Sequence, residues 1–500
     1  MHRQVSRWLT GLTALAGAAL PLVAGQAAPA GTPPASLELA PCRLEHPRGL
    51  ASFEARCGRL TVPENPNDPT GRRIELAVAV VPAISRQARP DPLFLLAGGP
   101  GQGARDAFVP LMGALTGIRR DRDLVLVDQR GTGLSNPMTC EFPEEAWADE
   151  EVSAAQFRSM AEDCLAALPG DPRFYTTSAA VRDLDSVRAA LGYERINLYG
   201  GSYGTRVAQH YARRFPDRAR SVVLDSVVHP TLALGASMAL DAEAALRGSF
   251  ARCAATPACA ARYPRLGGQF DALRDRLAAT PVDVTLADPV QATPTATRFT
   301  AGHFALAVRM LSYSDRTASL LPLLLDEAAE RGNFAPLAAQ AEMVRGELVE
   351  SLAYGMHNAV VCTEDLPFLD TGSLDREALR ASYLGETMLE GLEAMCSVWP
   401  RGVMDPGFKD PLDSAVPALL LAGSLDPVTP PSYAAAAAAG FRDSLLVVFK
   451  DKGHIQLGLP CAQRIVRHFL DAGTARGLDA SCSGQVEPAP FFLSFNGSAP

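Results

Sequence analysis

The chain sets short, continuously apolar runs against longer amphipathic ones. Residues 92–97 (PLFLLA), 123–128, 196–200, 219–227, 417–422 and 445–449 are apolar nearly throughout, as expected of strands buried on both faces. Residues 178–191, 205–214 and 461–470 carry apolar positions at helical spacing. Ser178 is expected to cap the first of these helices, and Phe215-Pro216 to stop the second. Ahead of them, residues 57–63 predict an edge strand and 63–71, rich in Pro, Asn and Asp, a turn. The alternating, β-branched stretch 73–81 completes a hairpin. Residues 140–168 read as an acidic, exposed helical stretch. From 231 to 396 the pattern is helical, with one short strand predicted at 282–286, and the strand–helix rhythm resumes at 415.

This order predicts an α/β architecture: a mostly parallel sheet flanked by helices, with an inserted, mainly helical cap. The boundaries expected are 37–230 for the N-terminal part of the core, 231–400 for the cap and 401–484 for the C-terminal part of the core. A Pro/Gly/Ser-rich tail, 485–500, has no evident role.

One stretch carries chemistry. Residues 196–204 (INLYGGSYG) run a strand into Gly200-x-Ser202-x-Gly204, and a helix follows. A strand turning sharply into a helix around G-x-S-x-G is the nucleophile elbow of α/β-hydrolases. It holds the serine in a strained conformation at a helix N-terminus, where developing negative charge is favoured. Side chains at Gly200 or Gly204 would collide with the neighbouring strand and helix.

A triad is expected to follow in the order Ser, Asp, His, and it does: Ser202, then Asp426 after the 417–422 strand, then His454 after the 445–449 strand. Serine is a poor nucleophile until a base removes its proton. His454 is expected to be that base, with Asp426 holding its tautomer. Asp225 is the reserve acid and His229 the reserve base; His210, His357 and His468 suit packing or solvent roles. The oxyanion hole is expected from the N–H of Tyr203 and one N–H of the glycine-rich loop 98–103. Pro100 has no N–H, which favours Gly99. That loop lacks the Lys-Ser/Thr and the spacing of a phosphate cradle. Asp128 and Arg130 are expected to pair with each other or with backbone and to shape the site.

Composition adds the setting. The net charge of −9, with no concentrated basic stretch, argues against nucleic acid as a partner. Arg3 and Arg7, the apolar run 9–24 and small residues through 30 read as an export signal, so 1–30 is expected to be signal peptide and the start of a linker. All ten cysteines lie after it, with no C-x-x-C pair, which favours disulfides over a metal site. Pairing between sequence neighbours is the default expectation.

Gly98-Gly99-Pro100-Gly101, 128–133 (DQRGTG) and 200–204 (GGSYG) together resemble the prolyl iminopeptidase branch of α/β-hydrolases. Residues 57–63 (CGRLTVP), 358–365 (NAVVCTED) and 423–430 (GSLDPVTP) are similar to the secreted tripeptidyl aminopeptidase relatives, exported bacterial exopeptidases. Ala97 departs from the histidine usual before Gly-Gly-Pro-Gly. The resemblance implies Ser202, Asp426 and His454 as the triad, peptide substrates, and no metal or organic cofactor. It also implies a periplasmic or extracellular location without stable membrane insertion after signal cleavage. An esterase with the same machinery and a non-catalytic binding protein of this fold are the alternatives. An exopeptidase must meet its substrate's α-ammonium with a carboxylate. Glu364 and Asp365, in the cap and expected to face Ser202, are the leading candidates, against the plainer reading that they cap or end a cap helix beside Pro367.

Overall fold

The computed structural model describes residues 37–141, 152–235, 237–287 and 293–498. The expected signal segment and part of the 140–168 stretch lie outside these residues. Among the described residues, nine strands form one sheet in the order β1-β2-β3-β5-β4-β6-β7-β10-β11. They are β1 (Ala40–Glu45), β2 (Ser52–Pro63), β3 (Arg73–Val81), β4 (Leu93–Leu96), β5 (Leu124–Val127), β6 (Ile196–Gly201), β7 (Ala219–Asp225), β10 (Ala418–Gly423) and β11 (Ser444–Phe449). From β5 to β11 every neighbouring pair is parallel, whereas β1, β2 and β3 are antiparallel.

The apolar runs are strands because both of their faces are covered. Phe94 and Leu96 join one core cluster, with Val181 and Leu184 of the helix Thr177–Ala190 and Val207 and Tyr211 of the elbow helix Tyr203–Arg214. Leu93 and Leu95 point the other way, towards Ile465 and Phe469 of the helix Pro460–Ala472. Alternate residues on opposite faces are what a period of two requires.

The sheet's edge differs from the expectation. β2 begins earlier than predicted and is not the edge, because β1 pairs with it and the Cys42–Cys57 disulfide staples the two. β1 escapes notice in the sequence because its pattern is mostly polar and exposed.

Between β7 and β10 lies the predominantly helical segment, with Leu246, Phe270, Phe304 and Leu325 in a cluster of their own. The predicted strand there is β8 (Val282–Ala287), paired with an unforeseen β9 (Pro294–Phe299). One helix of the segment, Tyr354–Glu364, packs instead into the core of the sheet through Met356, Ala359 and Val360. The tail also has a role: Phe491 is buried in the cap cluster under Arg252, and Tyr263 Oη donates to the Phe492 carbonyl at 2.8 Å. All ten cysteines pair with their sequence neighbours: Cys42–Cys57, Cys140–Cys164, Cys253–Cys259, Cys362–Cys396 and Cys461–Cys482.

Candidate active site

The elbow forms at the C-terminal end of β6. Ser202 has φ 54° and ψ −125°, a conformation that non-glycine residues adopt only when the surroundings impose it. The surroundings do so by close approach: a Cβ on Gly200 would strike the Gly204 carbonyl, and one on Gly204 would strike the Leu96 carbonyl. The tight turn leaves Ser202 partly exposed while Tyr203 and Gly204 are buried.

Asp426 and His454 come together from the ends of β10 and β11. His454 Nδ1 lies 2.8 and 3.0 Å from the two Asp426 carboxylate oxygens, so Nδ1 carries the proton and Nε2 is left as the basic nitrogen. The carboxylate also accepts from the backbone N–H groups of Val428 and Thr429 and from the Thr429 hydroxyl, each at 2.9 Å. Burial alone would raise its pKa, but the imidazole and these donors hold it below the ordinary carboxylate value. The backbone carbonyl of Tyr313, in the cap segment, accepts the His454 backbone N–H at 2.7 Å, and the Tyr313 ring meets the imidazole edge-on at 5.3 Å.

The reserve residues are occupied elsewhere. Asp225 receives Tyr199 Oη at 2.7 Å and the N–H groups of Gln456 and Leu457, and burial raises its pKa to about 6. His229 bonds Thr231 and packs edge-on against Tyr433. Asp128 and Arg130 do not pair with each other. Asp128 accepts from the N–H groups of Arg105 and Leu134, while Arg130 forks onto Asp183 at 2.6 and 2.8 Å.

In the glycine-rich loop, Gln102 N–H turns back to the Gly98 carbonyl at 3.4 Å. Gly99 and Gly101 have φ of 103° and 110°, open only to glycine without strain, and a Cβ on Gly98 would lie 3.1 Å from Ser202 Cβ. The loop therefore lies directly against the elbow.

Glu364 and Asp365 do not face Ser202. Both have 0% exposure and sit behind the first turn of the elbow helix. Asp365 holds Arg206 through two bonds of 2.7 and 3.0 Å, and Glu364 accepts from the Thr177 N–H and hydroxyl at 2.7 and 2.8 Å. A carboxylate this enclosed is already neutralised by protein groups and cannot receive a ligand cation. Burial, opposed by Arg206, raises the pKa of Glu364 to about 7.

A different acid stands near Asp426. Asp241, part-buried on the helix Met238–Ala255, accepts from Tyr433 Oη at 2.6 Å, and Tyr433 Oη lies 2.6 Å from Ser237 Oγ. Burial raises its pKa, with the charge of Asp426 contributing in the same direction. Sequence reasoning missed Asp241 because it sits in an ordinary amphipathic helix; only the approach of that helix to the Asp426 loop distinguishes it.

Comparison with known proteins agrees with this architecture. A model of the alpha/beta hydrolase fold matches residues 91–251, which hold the elbow, and a model of TAP-like proteins matches 381–482, which hold Asp426 and His454. The tripeptidyl aminopeptidase of Streptomyces lividans is 28% identical over 464 residues, covering 87% of this chain and 85% of that protein. Serine protease Hip1 of Mycobacterium tuberculosis is 27% identical over 489 residues, covering 89% and 91%. Carboxylesterase B of Mycobacterium tuberculosis is 28% identical over 229 residues, covering 41% and 43%. The chain has the α/β-hydrolase fold, its 381–482 segment is similar to the TAP-like proteins, and it is a serine hydrolase.

Proposed function

We propose that the protein is an exported serine exopeptidase that cleaves peptides near their free N-terminus through an acyl-enzyme on Ser202. The observation that carries this reading is the Asp426–His454 pair at the C-terminal edge of the sheet that also presents Ser202 on its strained turn. His454 takes the Ser202 proton as the hydroxyl attacks the scissile carbonyl, then gives it to the leaving amine; water repeats the cycle on the acyl-enzyme. Asp426 fixes the tautomer and stabilises the imidazolium. The tetrahedral oxyanion is met by the N–H groups of Tyr203 and Gly99.

The full-length likeness to a tripeptidyl aminopeptidase and to a serine protease supports a peptide substrate. The five disulfides support export, because such bonds persist in oxidising compartments. With Glu364 and Asp365 enclosed, we assign recognition of the substrate ammonium to Asp241, steadied by Tyr433 and Ser237. The partial likeness to a carboxylesterase favours ester hydrolysis as the second reading.

A panel of free-amino peptides, their N-acetylated partners and simple esters separates the two. The exopeptidase cleaves the first class much faster than the second. Equal rates on acetylated and free peptides, or activity on esters alone, would overturn the proposal.

A further inference from the structure

The helix Tyr354–Glu364 lies within the predicted cap, yet its two ends reach the two loops that present the oxyanion donors. At its start, Leu352 forms a bridge with Gln102, and the Ala353 N–H donates to the Gly101 carbonyl at 3.0 Å. The approach is close: a Cβ on Gly101 would lie 2.9 Å from the Ala353 carbonyl oxygen. One turn further, His357 Nδ1 lies 3.0 Å from the Pro100 carbonyl. A carbonyl can only accept, so Nδ1 carries the proton.

At the other end, Glu364 closes a chain of side chains that begins beside the same loop. The Thr177 hydroxyl donates to Glu364 Oε2 at 2.8 Å and lies 2.6 Å from Tyr203 Oη. Gln129 Nε2 donates to Tyr203 Oη at 3.1 Å. Since the only hydroxyl proton of Thr177 points to Glu364, the phenol proton of Tyr203 points to Thr177. When ionised, above its pKa of about 7, the Glu364 carboxylate fixes the direction of every link, from Gln129 through Tyr203 and Thr177 to Glu364. Thr177, Tyr203 and Glu364 are all buried, with exposures of 1% or less. Arg206, 3.5 Å from Glu364 Oε2, balances the charge.

We infer that the 354–364 helix is a brace for the oxyanion hole, with His357 positioning the glycine loop and Glu364, through Thr177, positioning Tyr203. The inference rests on the hydrolase reading above and names positioning residues, not groups that touch substrate. The physical case is one of rigidity. Oxyanion donors act only when held at hydrogen-bond distance from an oxygen that exists transiently, and loops alone do not hold them there. An 11-residue helix, about 16 Å long and packed into the sheet's core, fixes the separation of the two loops attached to its ends.

The test uses the full-length protein, a chromogenic peptide substrate and a peptide boronic acid, whose serine adduct places an oxygen in the oxyanion hole. Thr177→Val and His357→Leu each remove a link; Thr177→Ser and His357→Asn restore its donor. The brace predicts that the first two lose about ten- to a hundredfold in kcat, with KM changed by less than about twofold, and that boronic acid affinity falls in parallel. The conservative pair should recover most of the loss. Glu364→Gln, whose amide donates back to Thr177, should match Thr177→Val, and the double variant should be no worse than the poorer single one.

Folded Thr177→Val and His357→Leu proteins with wild-type kcat and boronic acid affinity, or with losses confined to KM, would overturn the brace. Should Thr177→Val fail to fold, Tyr203→Phe, which removes a single oxygen atom, decides by the same readout. Failure of the hydrolase reading looks different, because the wild type itself would then show no Ser202-dependent binding of the boronic acid.

Discussion

Ser202 donates its backbone N–H to the Asp225 carbonyl at 2.9 Å, while the Asp225 carboxylate holds the N–H groups of Gln456 and Leu457, just after His454. Ser226 adds a bond from the Ile455 N–H at 2.7 Å. The end of β7 therefore ties the elbow to the histidine loop, and the registry of Ser202 with His454 depends on a residue in neither role.

Asp225→Asn should lower kcat by about ten- to a hundredfold, because a misplaced base costs that much even when every triad member remains. The variant also has a pH signature. Folded Asp225 keeps its proton up to about pH 6, above its unfolded value of 3.8, so the stability it contributes is complete at low pH and lost as pH rises through 6. The difference in Tm between wild type and variant should narrow from pH 4 to pH 7. A gap that stays constant or widens would show that Asp225 does not titrate in this way.

Ser202→Ala should reduce turnover by about three or more orders of magnitude, and a fluorophosphonate probe should label the wild type at Ser202. Asp426→Asn leaves the shape, but with its amide oxygen held by the Val428 and Thr429 N–H groups its NH2 meets Nδ1 and imposes the wrong tautomer, which should cost about three to four orders of magnitude in kcat. Labelling at another serine, with activity intact in Ser202→Ala, would remove Ser202 from the mechanism.

Asp241→Asn should raise KM for free-amino peptides by about tenfold or more and leave hydrolysis of small esters nearly unchanged, since a buried ammonium needs an opposite charge. Kinetics on a matched peptide and ester pair decide the matter. Equal losses on both would place Asp241 in the support of Asp426 and not in substrate recognition.

The Cys362–Cys396 disulfide joins the brace helix to the helix Thr387–Cys396. Replacing both cysteines by alanine should lower unfolding free energy by about 2–4 kcal/mol, measured by denaturant titration. Thiol titration of the denatured, unreduced wild type should find essentially no free thiol; several free thiols would contradict the pairing.

The sheet's central strands, the elbow and the chain order of Ser202, Asp426 and His454 are legible in the sequence, because each has a local cause. Strands buried on both faces must be apolar throughout, and Gly200 and Gly204 admit no Cβ at that turn. Neighbour pairing of the cysteines was legible for a similar reason, as the shortest loops close most readily. The fate of Glu364 and Asp365 is set by packing that no local pattern announces. Their motif marks them as unusual, but whether such an acid meets a substrate or Arg206 and Thr177 depends on residues far away in sequence. The same holds for Asp225, Asp241 and the brace helix. Their roles come from packing between distant segments, and a charge in an amphipathic helix carries no local sign of what it will face.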